Sequence, residues 1–153
     1  MKLFLVRHAE AKSREEDPAS HLSGKGRMSA EKIASFLAGK ITVEKIFHSG
    51  KTRAKETAEI FAKHLKSKDV EEKEFLDPLA EPEIWAERLK NEKNDLMIVG
   101  HLPYLSDLVS LLLCGNKNKK IIEFKTGGVV CLFREGEQWI IDWMTTPENL
   151  KNG

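Results

Sequence analysis

The chain has 153 residues, enough for about one domain of ordinary size. Its 25 basic and 24 acidic residues nearly cancel, and a formal net charge of +1 gives no electrostatic reason to expect nucleic acid or an anionic membrane as a partner. A charged fraction of 32%, with apolar runs far shorter than the roughly 20 residues of a membrane helix, argues against a membrane-spanning or fibrous protein. We therefore expect a single soluble domain over residues 1–153.

The amino terminus and the cysteines give expectations about location and metal content. The apolar run from Leu3 to Val6 is too short for a signal peptide and is followed at once by an arginine, so we expect a cytoplasmic protein. Cys114 and Cys131 both lie among apolar residues and form no CxxC pair, which predicts two buried, reduced thiols. No histidine or cysteine spacing is typical of zinc, and we expect neither a metal nor a cofactor.

Short apolar runs alternate with longer segments of helical period. The runs predict strands at Leu3 to Val6, Lys45 to Phe47, Glu72 to Leu76 and Leu96 to Val99. Apolar residues three and four positions apart predict helices over residues 30–37, 54–65, 83–90 and 105–112. Pro103 is expected in the first turn of the last helix.

The arrangement of these elements predicts the fold class. The first and fourth strands are continuously apolar, which is typical of parallel strands covered by helices on both faces. After Gly127 and Gly128 the pattern changes to two strands, at residues 129–133 and 139–143, which predict an antiparallel hairpin at one edge of the sheet. We therefore predict an α/β protein, a three-layer α/β/α sandwich whose sheet is mostly parallel with an antiparallel C-terminal hairpin.

Basic and histidine residues follow three of the predicted strands. Arg7 and His8 follow the first strand, Ser49 and then Arg53 follow the second, and His101 follows the fourth. Ligands bind at the carboxyl ends of the strands in open α/β sheets, so we expect two arginines and two histidines to meet at one edge.

This combination of residue types indicates phosphate chemistry. We expect Ser49 to cap the second helix, whose N-terminus attracts anions, and Arg53 in its first turn to lean toward the same edge. A guanidinium matches pairs of phosphate oxygens. A neutral imidazole can attack phosphorus, and a charged one can donate to phosphate oxygens. His8 suits the first role and His101 the second, but spacing alone leaves both assignments open.

Four segments resemble the histidine phosphatase superfamily, which includes the cofactor-dependent phosphoglycerate mutases. They are Leu5-Val6-Arg7-His8-Ala9-Glu10, then Leu22-Ser23 with Gly26 and Ala30, then Ser49 through Arg53-Ala54 to Thr57-Ala58, and finally Val99-Gly100-His101-Leu102-Pro103. The segments occur in the family's order between residue 3 and about residue 113. Because the chain has no room for the insertions found over the site in many relatives, it is most similar to the short SixA-type phosphohistidine phosphatases.

The resemblance implies a fold, a set of roles and a partner. The fold would be phosphoglycerate mutase-like, and His8 would become transiently phosphorylated without a metal. Arg7, Arg53 and His101 would bind the phosphoryl oxygens, with Ser49 as a further phosphate-binding residue. The substrate would be a phosphorylated protein in signal transduction, with a histidine-containing phosphotransfer domain as one candidate.

The chain also departs from the family pattern. Ala9 stands where glycine is common, and Ala11 stands where serine or threonine is frequent. Many relatives protonate the leaving group with a carboxylic acid from the region after the third strand. We favour Glu81 for this role because it lies nearest the matching position. Asp77, Glu83 and Glu10 remain open, as does the absence of any such acid, because a departing imidazole can itself carry a proton.

The sequence also allows two alternative functions, and it contains three further histidines. The first alternative is a small-molecule phosphomonoester phosphatase of the same superfamily, and the second is a noncatalytic phosphate-binding module. His64 lies among lysines near a predicted helix end, where we expect it to be exposed. His21 and His48 have no assigned role.

Overall fold

The six strands found in residues 1–150 belong to one sheet, in the order β3-β2-β4-β1-β5-β6. The computed structural model describes residues 1–150, and the last three residues of the expected domain lie outside this range. The strands are β1 (Lys2–Arg7), β2 (Lys45–His48), β3 (Asp69–Glu72), β4 (Leu96–Gly100), β5 (Val129–Glu135) and β6 (Gln138–Thr145). The helices are α1 (Gly24–Leu37), α2 (Thr52–Leu65), α3 (Pro82–Leu89) and α4 (Tyr104–Cys114), with a short 3-10 helix at Pro147–Asn149.

The sheet is parallel except at its C-terminal edge. β1 pairs in parallel with β4, and β2 pairs in parallel with both β4 and β3. β5 runs antiparallel to β1, and β6 runs antiparallel to β5. The predicted three-layer sandwich with an antiparallel C-terminal hairpin is therefore confirmed, and the first four strands direct their carboxyl ends to one edge.

Alternate residues of the central strands fill two separate cores. Phe4 and Val6 of β1 pack on the side of the sheet that α1 and α2 cover, whereas Leu3 and Leu5 pack on the side that α3 and α4 cover. All four side chains are at most 1% exposed. Both faces of β1 are buried, which explains why its sequence is continuously apolar and not alternating.

The third strand is the one strand that the sequence pattern misplaced. The apolar residues near Leu76 predicted a strand from Glu72 to Leu76, but β3 spans Asp69–Glu72. β3 is an edge strand with β2 as its partner, and it carries a single aliphatic residue, Val70, opposite Ile46. Leu76 lies in the loop after β3, and its side chain is fully buried in the core that α3 and α4 cover. Leu76 is therefore apolar because it packs in the core, although it is not part of a strand.

The first helix begins six residues before its apolar stripe. Ser23 caps α1, and its hydroxyl oxygen accepts a hydrogen bond from the backbone N–H of Gly26 at 3.0 Å. A Cβ atom at position 26 would lie 2.0 Å from the carbonyl oxygen of Glu10, so only glycine lets the segment after β1 pass this close to the helix. In α4, Pro103 occupies the cap position, one residue before the first turn in which it was expected.

The two cysteines differ in environment. Cys131 is fully buried in β5, as predicted, but Cys114 is exposed at the last residue of α4. The prediction for Cys114 was wrong because the helix end emerges from the core just where the apolar stripe stops. Among the helices of residues 1–150, none combines the length and the apolar character needed to cross a membrane.

Candidate active site

The ends of β1 and β4 place two histidines side by side. The two strands are parallel neighbours with Arg7 opposite Gly100, so the residues that follow them, His8 and His101, lie next to each other. Their ring centroids are 5.1 Å apart. The expectation that residues following the strands meet at one edge of the sheet is therefore confirmed for His8 and His101.

Three hydrogen bonds fix the position and the tautomer of His8. Its backbone N–H donates to the carbonyl oxygen of Gly100 at 3.0 Å, and its own carbonyl accepts from the N–H of Gly127 at 3.2 Å. Its ring Nδ1 lies 2.8 Å from the carbonyl oxygen of Ala9. A carbonyl oxygen only accepts, so Nδ1 carries the hydrogen and Nε2 keeps a free lone pair.

Electrostatics keeps the His8 ring neutral. Burial, and to a smaller extent the positive charges of Arg53 and Arg7, lower the pKa of His8 from 6.5 to about 4. The hydrogen bond to Ala9 acts in the opposite direction but is the smaller effect. At pH 7 the ring is therefore uncharged although it lies near two cations, and a neutral imidazole is able to act as a nucleophile.

One end of the Arg7 guanidinium donates a hydrogen bond to the protein backbone, while its Nε–H donor is left without a partner in residues 1–150. A terminal N–H donates to the carbonyl oxygen of Phe124 at 2.8 Å, while Nε is buried and has no hydrogen-bond partner among residues 1–150. Burial lowers the pKa of Arg7 from its ordinary value, but an arginine in a protein stays charged. A bound anion would supply the acceptor that Nε lacks.

His101 is 1% exposed and shares a short hydrogen bond with Ser49. Its Nε2 lies 2.6 Å from the Ser49 hydroxyl oxygen, and its Nδ1 has no partner within the described chain. Burial lowers the pKa of His101 to about 3, with further contributions from the charges of His8, Arg53 and Lys51. A ring with this pKa is neutral at pH 7, whereas we expected a charged donor; a bound phosphoryl dianion would raise the pKa of His101 again.

The structure contradicts the predicted role of Ser49 as a helix cap. α2 begins at Thr52 with Lys51 in the cap position, and no side chain there makes a capping bond. Gly50, with φ of +90°, adds a turn between β2 and the helix. The Ser49 hydroxyl instead contacts His101 and accepts from the N–H of Lys51 at 3.3 Å.

Arg53 lies in the first turn of α2, as expected. Its charge contributes to the lowered pKa of both His8 and His101, which places its guanidinium within electrostatic reach of both rings. The structure thus brings together all four residues that the strand ends predicted. The N-terminus of α2, which has no side-chain cap, adds positive potential beside Arg53.

Several groups in the pocket were missed by the sequence reasoning. The charge of Lys51 acts on His101, and that of Arg14 acts on Arg53, so two further cations lie within electrostatic reach of residues of the pocket. Position next to the Ser49 segment is a signal that would have found Lys51. The carbonyl of Phe124 and the N–H of Gly127 carry no such signal, since every residue has these groups and only the fold selects them.

The expected proton donors make their contacts elsewhere. Glu81 is exposed in the cap position of α3, and Asp77 is exposed in the loop before it. Glu83 forms an ion pair with Lys117 at 2.7 Å, which lowers the pKa of its carboxyl group. Glu10 accepts a hydrogen bond from the Ser23 hydroxyl at 2.9 Å. Within residues 1–150, no hydrogen bond or ion pair joins any of these carboxylates to the two histidines and two arginines of the pocket.

The remaining histidines have structural partners. His48 is 5% exposed, and its Nδ1 accepts a hydrogen bond from the N–H of Gly50 at 3.1 Å, which supports the turn before α2. His21 is exposed and pairs with Asp17 at 2.7 Å. His64 was expected to be exposed but is half-buried and pairs with Glu31 across α1 and α2.

The fold and the pocket together define a class of protein, one that handles phosphoryl groups with histidine and arginine side chains. Residues 3–81, just over half of the chain, match the profile of the histidine phosphatase superfamily (branch 1). The chain therefore belongs to this superfamily, and its class is phosphatase, a hydrolase. The comparison with curated protein sequences gave no match.

Solved structures of low sequence identity share the whole fold. The protein histidine phosphatase SixA, complexed with tungstate, superimposes with a TM-score of 0.88 at 24% identity, covering 99% of this chain and 100% of that one. The α-ribazole phosphatase from Shigella flexneri gives 0.81 at 15% identity, over 96% and 97% of the two chains. A phosphoserine phosphatase mutant from Entamoeba histolytica, in complex with phosphoserine, gives 0.73 at 15% identity, over 98% and 99%.

Proposed function

We propose that this protein is a phosphohistidine phosphatase that works through a phosphorylated intermediate on His8, without a metal. The observation that carries the proposal is the neutral His8 ring, whose Nδ1–H is held by the Ala9 carbonyl so that the Nε2 lone pair is free. Two unpartnered buried nitrogens, Arg7 Nε and His101 Nδ1, belong to the same pocket. Together they supply a nucleophile and groups able to bind the phosphoryl oxygens.

The reaction takes two in-line displacements. In the first, the Nε2 lone pair of His8 attacks phosphorus while the bond between phosphorus and the substrate nitrogen breaks, and that electron pair leaves with the substrate imidazole. In the second, water attacks phosphorus and releases a proton to solvent, the bond to phosphorus breaks with its electron pair returning to Nε2, and inorganic phosphate forms. Arg7 and Arg53 stabilise the charge on the phosphoryl oxygens in both steps.

The environment of the carboxylates supports phosphohistidine as the substrate class. A phosphorylated imidazole whose other ring nitrogen is protonated leaves as neutral imidazole, so its departure requires no acid from the enzyme. Glu83 and Glu10 are engaged with Lys117 and Ser23, and Glu81 is exposed. A phosphate ester would instead leave as an alkoxide, for which a positioned acid is valuable. The tungstate-bound SixA structure, with the same fold, gives additional support.

The proposed partner is a phosphorylated protein, with a phosphotransfer domain carrying phosphohistidine as the candidate of choice. In addition to Arg7 and Arg53, two further cations act on residues of the pocket: Lys51 acts on His101, and Arg14 acts on Arg53. Positive charge at the pocket favours the approach of a phosphorylated side chain that is still attached to its protein. We extend the proposal to a signalling role in the cytoplasm on this basis.

The test is phosphate release from a radiolabelled phosphohistidine protein in excess EDTA. We expect full turnover by the wild type, loss of at least roughly 10⁴-fold in His8→Ala, because the nucleophile is gone, and little change in the matched control His64→Ala. Rapid quenching is expected to trap acid-labile, alkali-stable phosphate on the wild type. Loss of activity on chelation, or turnover retained by His8→Ala, would contradict the proposal.

A substrate panel separates the alternatives. We expect kcat/KM for the phosphohistidine protein to exceed that for compact phosphate esters measured in parallel. The reverse order would identify a small-molecule phosphatase, as the folds shared with the α-ribazole and phosphoserine phosphatases allow. Saturable binding of phosphoprotein with neither turnover nor a trapped phosphoenzyme would identify a binding module.

A further inference from the structure

Thr57 connects α2 to the segment that carries the nucleophile. It lies one turn after Arg53 and is completely buried. Its hydroxyl donates to the carbonyl oxygen of Arg53 at 2.8 Å, the usual bond of a threonine inside a helix. The same oxygen also accepts a hydrogen bond from the backbone N–H of Ala9 at 3.0 Å. The hydroxyl is therefore used as donor and acceptor at once, between parts of the chain 48 residues apart.

Ala9 is held at both ends of its backbone. Its N–H donates to Thr57, and its carbonyl oxygen accepts the Nδ1–H of His8 at 2.8 Å. The residue is 1% exposed, so water cannot replace either bond. A continuous series of hydrogen bonds thus runs from the backbone of Arg53, through the Thr57 hydroxyl and Ala9, to the ring of His8.

We propose that Thr57 is a positioning residue that holds His8 in its Nδ1–H tautomer and in register with Arg53. The inference rests on the proposed use of His8 Nε2 as the nucleophile. Thr57 does not touch the substrate; it acts through Ala9. Its hydroxyl fixes the Ala9 backbone, and the Ala9 carbonyl then decides which ring nitrogen of His8 carries the hydrogen.

Removal of the hydroxyl has a defined consequence. Thr57→Val keeps the shape of the side chain but leaves the buried N–H of Ala9 without an acceptor. The backbone of Ala9 must tilt to find another partner, and its carbonyl turns away from Nδ1. The Nε2–H tautomer of His8 then becomes populated, and that form has no lone pair at the attacking position.

The experiment reads the tautomer directly by ¹⁵N NMR of the histidine-labelled protein at pH 7, well above the pKa of His8. The His8 signals are assigned by their loss in His8→Ala. We expect a protonated Nδ1 and an unprotonated Nε2 in the wild type, a mixture of tautomers in Thr57→Val, and recovery in Thr57→Ser. We expect Thr57→Val to lower kcat about tenfold, as for one lost hydrogen bond of ordinary strength, with KM unchanged within about twofold.

Ser110→Ala is the matched control. Ser110 is also a completely buried helix residue whose hydroxyl bonds a backbone carbonyl, that of Lys119, but it lies in α4. Its loss should destabilise the fold without changing the His8 tautomer or kcat, which separates positioning from packing. If Thr57→Val does not fold, Thr57→Ala removes the same hydroxyl with a smaller side chain and gives the same readout.

An unchanged His8 tautomer in a folded variant lacking the hydroxyl would overturn the inference. An equal tautomer shift in Ser110→Ala would overturn it as well. The NMR measurement needs no substrate, so it still stands if the wild type proves inactive on phosphohistidine proteins. Failure of the proposed function and failure of this inference are therefore distinguishable.

Discussion

The pocket floor, formed by Arg7, His8 and His101, is constructed differently from the β3–α3 segment, residues 73–83, which contains most of the expected proton donors. Each side chain of the pocket floor is fixed by a hydrogen bond to a carbonyl or hydroxyl group and still has a ring or guanidinium nitrogen without a hydrogen-bond partner in residues 1–150. In the β3–α3 segment, Asp77 and Glu81 are exposed. The difference shows that the fold fixes in advance the groups that we propose for phosphoryl binding and attack, but not the carboxylates that were expected to protonate the leaving group.

After loss of the His8 side chain itself, the largest expected effect comes from Arg53, whose charge acts on both histidines of the pocket floor. Arg53→Met is expected to lower kcat/KM for the phosphohistidine protein about 10²- to 10³-fold, because it removes stabilisation of the charged phosphoryl oxygens. Arg53→Lys keeps the charge but not the paired donors, so its kcat/KM should lie between those of the wild type and Arg53→Met. Steady-state kinetics measures both. A loss of less than threefold in Arg53→Met would mean that preorganised charge is not what distinguishes the pocket floor.

The second prediction concerns the acid limit of activity. Because the pKa of His8 is about 4, the ring stays neutral down to that pH, and kcat/KM should fall about tenfold per pH unit only below it. The measurement is a pH profile from 3 to 8, corrected for the separately titrated ionisation of the substrate. If the fall in kcat/KM due to ionisation of the enzyme began near pH 6.5, the His8 ring would not be shielded from water.

Stability should follow the same ionisation. The pKa of His8 in the folded protein lies below its ordinary value of 6.5, so between these two pH values the unfolded chain binds more protons. The free energy of unfolding should therefore fall as the pH is lowered from 6.5 to 4. Urea unfolding at pH 7 and pH 5 measures the change, and His8→Ala should show a smaller fall than the wild type.

A smaller effect is expected for the support of His101. Ser49→Ala removes the hydroxyl that lies 2.6 Å from Nε2 of His101. One neutral hydrogen bond of about 1 kcal/mol corresponds to a loss of roughly threefold to tenfold in kcat/KM. Ser49→Thr, which keeps the hydroxyl, serves as the control. Equal kinetics for Ser49→Ala and the wild type would mean that His101 is held by packing alone.

The smallest effects are expected in the β3–α3 segment. Asp77→Asn, Glu81→Gln and Glu83→Gln should each change kcat for the phosphohistidine protein by less than about threefold, because the leaving imidazole carries its own proton. The same variants are to be measured on a phosphate ester. A large loss for Glu81→Gln on both substrates would restore this residue as the proton donor and remove the contrast between the two regions.

Much of the fold was predictable because burial leaves a direct signature in sequence. The continuous apolarity of β1 and β4 indicated strands covered on both faces, and the stripes of α1, α2 and α4 indicated one-sided helices. β3 was misplaced because an edge strand needs few apolar residues, while Leu76 is buried from a loop. Cys114 was misjudged because an apolar stripe does not reveal where a helix leaves the core.

The pocket was predictable only in part, for a related reason. Side chains that follow strands can be listed from the sequence, and the four expected residues do meet. Ser49 was predicted as a helix cap because serine at the end of a strand is a typical capping residue, but the added turn at Gly50 moves the helix start to Thr52. Which carbonyl holds each ring nitrogen has no sequence signature, since every residue has a carbonyl.

The sequence by itself determined the family, the layered α/β architecture and the identity of the two histidines and two arginines at the sheet edge. These follow from residue type and periodicity, which are local properties of the chain. The tertiary structure alone decided that His8 presents a free Nε2, that Ser49 contacts His101, and that Thr57 connects Arg53 to Ala9. These depend on hydrogen bonds between residues distant in the chain or on the path of the backbone, and only folding creates them.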